Sequence, residues 1–303
     1  MPDSSALHRY RLFGLNLRSE IPLPELYASA DGDADVEIVR GRVDIPTGTP
    51  PPIGGLFASG DHAVLQVKGV ARYAIARGSR ITVDSDPAAA DRNMRLYLLG
   101  SAMGVVLHQR GILPLHANAI DLGGRAIGFM GRSGAGKSTL AAAFHDAGWR
   151  VLSDDVCAVA PAGDGFLAQP GLPRLRLWRD AIERSGRTID GHERAFDHID
   201  KYTVGIAGDA GEAVPLTALY LLAAAKGEDF AMRRLAGGEA MKAVMANTYR
   251  GKFLPLVGDP QRNFETCVAL VRAVPVFELT RPWDGARVGE TIAQVEAHLA
   301  ALG

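Results

Sequence analysis

Over the first third of the chain, apolar and polar residues alternate in short runs: VEIVRGRV, HAVLQVKG, ARYAIAR and SRITVD, each bounded by glycine, proline or aspartate. Alternation with period two puts every second side chain on one face of a half-buried strand. Residues 1–85 are therefore expected to form a small, mostly β domain. The stretch PTGTPPPIGG, residues 46–55, reads as a loop, because clustered prolines lack the N–H groups that a strand or helix needs. The pattern changes at DSDPAAADRNMRLYLLGSAMGVVLHQRG, where Asp86 can cap a helix, Pro87 takes its first position and Gly111 stops it. This helix is expected to open a second domain, residues 86–303. Two strands follow, LHANAI and RAIGFM, joined by the turn DLGG. A helix over Lys137–Ala147 closes on Gly148, and WRVLSDDV reads as a strand ending in two acids. Later, LTALYLLAA and VPVFELT are buried strands, while EAMKAVMANTY, DPQRNFETCVALVRAV and VGETIAQVEAHLAAL carry helical spacing. The predicted class is α/β.

Composition narrows the function without choosing it. A chain of 303 residues can bury a sizeable core without staples. Its 33 lysines and arginines nearly balance 34 aspartates and glutamates, so there is no global basic field for nucleic acid. Cys157 and Cys267 are the only cysteines, with no metal-ligand spacing, which fits buried free thiols in a reducing compartment. The opening MPDSSALHRYRLFG has no apolar signal stretch and no run approaches the ~20 residues of a spanning helix. A cytoplasmic protein with neither a nucleic-acid nor a membrane partner is expected.

The chemistry concentrates in GFMGRSGAGKSTLAAAFHDAGWRVLSDDV, residues 128–156. Gly131, Gly136, Lys137 and Ser138 satisfy G-x-x-x-x-G-K-[ST], and Gly134 adds a third glycine. Glycines let successive backbone N–H groups turn around an anion, and the following helix aims its positive end at the same point. The expected nucleotide contacts run through Gly131, Ser133, Gly134, Ala135, Gly136, Lys137, Ser138 and Thr139. Lys137 would reach the β- and γ-phosphates of ATP, and Ser138 would place its hydroxyl on Mg²⁺. The apolar strand before the loop and the alanine-rich helix after it supply the context that the motif requires.

Asp154 and Asp155 end a strand soon after this helix. Two carboxylates there can divide the work, one on Mg²⁺ and one accepting a proton from a substrate hydroxyl; the plainer alternative is one functional acid beside a solvated turn residue. His116, in LPLHANAI, lies on the preceding strand, where a lone histidine is usually a satisfied core residue. His192, Glu193, Asp197 and His198 fit no tetrahedral ligand pattern and read as a polar mobile loop, a candidate lid whose Lys201 could meet phosphate. Arg174 and Arg176 alternate like the outer face of a strand, surface charge being the default. Arg250 is similar, with Tyr249 packing beside it. Ile292, Val295, Leu299 and Leu302 form an apolar stripe for core or subunit contact.

The run LHANAIDLGGRAIGFMGRSGAGKSTLAAAFHDAGWRVLSDDV resembles the catalytic core of the HPr kinase/phosphorylase family: a histidine-bearing strand, a phosphate loop, then paired aspartates. The resemblance implies that Asp154 is the base toward an acceptor serine, that Asp155 binds metal with Ser138, and that His116 belongs to the active site with Lys137. It also implies a mixed sheet like that of phosphoenolpyruvate carboxykinase, and a homo-oligomer. The family's later signature, E/Q-[IV]-R-G-aliphatic-G, is missing; RTIDGHERAFDHIDKYTVG stands in its place. That departure argues against HPr as acceptor and against the reverse reaction. YRLFGLNLRSEIPLPEL, GLPRLRLW and DKYTV are similar to a divergent branch found with lasso-peptide biosynthesis, whose members phosphorylate the C-terminal serine of a precursor peptide. The expected activity is an ATP-dependent, Mg²⁺-requiring serine kinase, with the N-terminal β domain presenting a peptide or small-protein substrate. The rivals are a kinase for HPr or a small hydroxylated metabolite, and a non-catalytic, nucleotide-gated binding protein.

Overall fold

The computed structural model describes residues 7–29, 32–46, 53–179, 182, 193–196, 199–206, 211–224, 230–282 and 287–302. The chain divides into two units, residues 1–114 with 248–266, and residues 115–247 with 267–303. The chain changes unit after residues 114, 247 and 266, and none of these coincides with the division expected after residue 85.

The first unit is built on a seven-stranded sheet. Its strands are β1 (His8–Leu12), β2 (Leu15–Ser19), β3 (Val36–Arg40), β4 (Leu56–Ser59), β5 (His62–Val67), β6 (Ala71–Ala76) and β7 (Arg80–Ser85), in the order β1-β2-β3-β7-β6-β5-β4. The alternation read from the sequence is what folds it: in β6, Ala71, Tyr73 and Ile75 are buried and the residues between them are half-buried. The expected helix after β7 starts late. Asp86 accepts hydrogen bonds from the N–H of Ala88 on its side chain and of Ala89 on its carbonyl, so it closes a turn and does not cap a helix. Helix α1 begins at Asp91 and runs to Tyr97, a π-helical turn spans Leu98–Ala102, and α2 continues over Met103–Arg110. Gly111 ends it at φ +69°, as predicted. These helices belong with the sheet: Tyr73 donates its hydroxyl to the carbonyl of Met94, and Gln109 accepts from the N–H of Gly78. Residues 248–266 return to the same unit. His108 donates from Nε2 to the carbonyl of Tyr249 at 2.9 Å. Arg250 lies over the Tyr249 ring and donates to Ser101 Oγ, so it is anchored and not free surface charge.

The second unit carries a mixed sheet. After the short strand β8 (Leu113–Leu115), strands β9 (Ala117–Asp121), β10 (Ala126–Met130), β11 (Arg150–Ser153), β12 (Cys157–Ala162), β13 (Gly165–Gln169) and β17 (Val214–Ala224) lie in the order β11-β9-β10-β17-β13-β12, with β19 (Val276–Arg281) on β17 and β18 (Ala231–Leu235) beyond it. Strands β10, β17 and β19 are mutually parallel, while β9 runs against both β10 and β11. The ends of β10, β11, β17 and β19 and the start of β9 therefore share one edge, the edge at which open α/β sheets bind ligands. Helix α3 (Lys137–Asp146) covers one face. Beneath it, Phe144 meets Phe129, which stacks on its cross-strand partner Tyr220, which stacks on Phe277, with ring centroids 5.5–5.7 Å apart. Ile292, Val295 and Leu299 of the final helix, Val288–Ala301, complete this core, whereas Leu302 is exposed. Both cysteines are buried, and no disulfide joins them.

A third, antiparallel sheet joins β14 (Arg174–Trp178), β16 (Ile199–Gly205) and β15 (Glu193–Phe196), in the order β14-β16-β15. The polar segment expected as a mobile loop is thus partly strand, and Lys201 pairs through its backbone with Trp178. His192, Asp197 and His198 lie outside the described residues, as does most of the proline-rich loop. No described helix is long and apolar enough to cross a membrane.

Candidate functional site

Strand β10 ends at Met130, and the chain turns at Gly131 with φ +146°. A Cβ there would lie 3.2 Å from Ala135 Cβ and 3.3 Å from the carbonyl of Leu222, so only glycine fits the turn. Ser133 and Gly134 form an exposed arc, Ala135, Gly136 and Thr139 are half-buried, and Gly136 enters α3 at φ +84°. Lys137, the first residue of the helix, is buried and folds back into the loop. Its Nζ donates to the carbonyls of Gly131 at 2.7 Å and Arg132 at 3.4 Å, and meets His116 Nε2 at 3.2 Å.

His116 was expected on the strand before the phosphate-loop strand, but it stands in a break between the short strand Leu113–Leu115 and β9. Its N–H donates to the carbonyl of Asn247, and its ring lies at the site edge. The network assigns the tautomer: Nε2 accepts from the Lys137 ammonium, so Nδ1 carries the proton and donates to the carbonyl of Asp155 at 3.0 Å.

The acid pair follows β11. Asp154 is buried and accepts from Ser138 Oγ at 3.0 Å and from the backbone N–H of Arg176 at 2.8 Å. Burial pushes its carboxyl above the ordinary aspartate range and the neighbouring Asp155 adds to the rise, against the pull of the Arg176 and Ser138 hydrogen bonds. Asp155 stands in the left-handed region at φ +77°, a conformation that aspartate tolerates better than most residues and that often marks a functional turn. Its carboxylate pairs with Arg176 Nη1 at 2.8 Å and lies 3.6 Å from His116 Nδ1. The strand was expected to end in the two acids but ends at Ser153; beyond it Asp154 is buried and Asp155 half-buried.

These contacts close a ring: Ser138 to Asp154, Asp154 and Asp155 to Arg176, Asp155 to His116, His116 to Lys137, and Lys137 to Ser138 by covalent sequence. Every expected catalytic or metal residue is in it. Arg176 was expected on the surface, but its side chain is 12 % exposed and pairs with Asp155, while its backbone N–H bonds Asp154. Arg174 is also buried rather than superficial.

Two further residues brace the loop from outside. Asn247, closing the helix Gly237–Ala246, accepts from the N–H of Gly131 through Oδ1, donates to Ala243, and offers its carbonyl to His116. Arg281, at the end of β19, donates to the carbonyl of Ala135 at 3.2 Å. Because a trans peptide holds C=O and N–H on opposite sides, that bond fixes the Gly136 N–H pointing away from Arg281. Inside, Asn118 donates to the carbonyl of Lys137. These roles depend on tertiary contact; in the sequence, only the position of Arg281 at the end of a predicted strand hints at any of them.

Ser138 and the acids are hard oxygen donors, which suit Mg²⁺. Among the described residues no group of three or more His, Cys, Asp or Glu forms a metal cage of its own. A sparse oxygen set fits a metal that is held mainly by substrate phosphates and water.

No protein-family model matches the chain, and no curated protein matches it. Among solved structures, it is similar to the Hpr(Ser) kinase/phosphatase from Coxiella burnetii, at 11 % identity and a TM-score of 0.33, over 63 % of this chain and 99 % of that one.

Proposed function

We propose that this protein is an ATP-dependent, Mg²⁺-requiring serine kinase whose acceptor is the C-terminal serine of a lasso-peptide precursor. The observation that carries the reading is the ring itself: phosphate-loop Lys137 and Ser138 are linked through a histidine and two carboxylates. A site built only to hold nucleotide has no use for a second acid at the open edge, whereas phoshoryl transfer to a hydroxyl needs a group to take its proton. The peptide acceptor is supported by the sequence resemblance of YRLFGLNLRSEIPLPEL, GLPRLRLW and DKYTV to the lasso-peptide branch.

In this reading the loop N–H groups and Lys137 hold charge on the moving phosphoryl group. Lys137 already has its donors directed into the loop, on Gly131, Arg132 and His116, and exchanges some of them for phosphate oxygens. Mg²⁺, which Ser138 and one of the two acids would hold, supplies charge neutralisation on the phosphates. The other acid accepts the proton of the serine hydroxyl. Asn247 and Arg281 keep the loop in shape throughout. A cytoplasmic setting and a homo-oligomer go with the same reading.

The test is mass spectrometry of a serine-ending precursor peptide incubated with protein, Mg²⁺ and ATP, beside free serine, a sugar and HPr. A gain of one phosphate on the terminal serine is expected, falling by roughly 10²-fold or more in Lys137→Ala. Phosphate on HPr or on a small hydroxyl compound would reassign the acceptor. Nucleotide binding without any phosphorylated product would remove the kinase reading.

A further inference from the structure

The two aspartates have different surroundings, and the difference assigns their work. Ser138, the hydroxyl that the phosphate-loop motif places on the metal, bonds Asp154 and not Asp155. Lys137, the residue that marks the β- and γ-phosphates, leads through His116 to Asp155. Asp154 is nearly closed off, with one oxygen on Ser138 and the other on the N–H of Arg176. The Asp155 side chain is 34 % exposed; the Arg176 guanidinium holds its carboxylate, which lies 3.6 Å from His116 Nδ1, and His116 holds the backbone carbonyl of the same residue. A protein-side acceptor can reach only the open acid.

We infer that Asp154 is the metal-side acid, paired with Ser138, and that Asp155 is the base that faces the acceptor hydroxyl, with His116 and Arg176 as its positioning residues. This rests on the kinase reading above and inverts the division that the family resemblance implies. In the transfer step the acceptor oxygen bonds the γ-phosphorus while its proton passes to the Asp155 carboxylate. The bond from that phosphorus to the bridging oxygen breaks, and the nucleoside diphosphate leaves with that oxygen. Arg176 serves both acids through different atoms: its backbone N–H holds Asp154, and its side chain aims Asp155. Removing the side chain leaves the hydrogen bond to Asp154 in place and breaks the one to Asp155.

The experiment measures Mn²⁺ affinity by electron paramagnetic resonance, in the presence of a non-hydrolysable ATP analogue, for Asp154→Asn, Asp155→Asn, Ser138→Ala and Arg176→Ala. Thermal melts confirm that each variant is folded. Asp154→Asn and Ser138→Ala should each weaken Mn²⁺ binding by roughly tenfold or more. Asp155→Asn and Arg176→Ala should bind Mn²⁺ as the parent does, while Asp155→Asn lowers transfer by about 10²-fold or more. Loss of Mn²⁺ affinity in Asp155→Asn, whether alone or equally with Asp154→Asn, would overturn the assignment. If Asp154→Asn fails to fold, Asp155→Asn decides by itself: Mn²⁺ affinity kept together with lost transfer supports the assignment, and Mn²⁺ affinity lost overturns it. A parent protein that binds neither analogue nor Mn²⁺ would instead remove the kinase reading, and this assignment with it.

Discussion

At the scale of single residues, Asp154 shows what the site costs the fold. Burial and the charge of Asp155 raise its carboxyl above the ordinary value of 3.8, so folding favours the protonated form. The sign follows from linkage: the stability tied to this group is fully present below the unfolded value and is lost as pH rises through the folded one. Asp154 therefore destabilises the nucleotide-free protein at neutral pH. Asp154→Asn should melt higher than the parent at pH 7, and the gap should close as pH falls toward about 3.8. Melts followed by circular dichroism across that range check it; a variant that melts lower at pH 7 would show that the hydrogen bonds to Ser138 and Arg176 outweigh the burial. The phosphate-loop residues, the acid pair and His116 were legible because their motif is local and ordered along the chain. Arg176, Asn247 and Arg281 were not, because a lone polar residue takes its meaning from what folding places beside it.

At the scale of elements, α3 and its sheet hold the loop still. Phe144 anchors the helix on the Phe129–Tyr220–Phe277 ladder, so that the helix and the parallel strands present their ends together. Phe144→Ala leaves a cavity under the helix and should cost about 3–5 kcal/mol in urea unfolding. A cost below about 1 kcal/mol would mean that the ladder does not carry the helix. Period and turn residues announced most strands and the later helices. The start of α1 was misread because Asp86 and Pro87 serve a turn as well as they serve a helix N-terminus, and no local signal chooses between them. The polar segment after β14 was misread because its charged residues mask a short alternation: Tyr202 and Val204 of β16 are buried in the core with half-buried Thr203 between them, and pairing with β14 and β15 completes the sheet.

At the scale of the whole molecule, the first unit is not the first 85 residues. Residues 86–114 and 248–266 complete it, through Tyr73 with Met94, Gly78 with Gln109, and His108 with Tyr249. The sequence marked a change of pattern at residue 86, but a change of secondary structure is not a change of domain, and the return of a distant segment leaves no local trace. A fragment of residues 1–85 is expected to lack a cooperative unfolding transition, because it exposes Tyr73 and its neighbours; a sharp two-state melt of that fragment would restore the earlier boundary.

The claim on which the rest depends is that the γ-phosphoryl group is handed to a serine. Phosphorus NMR of ATP and Mg²⁺ incubated with the protein and a serine-ending precursor peptide reads the fate of that group directly. A phosphomonoester signal growing in step with ADP is the predicted result. ADP matched only by inorganic phosphate, or ATP left unchanged, would contradict it.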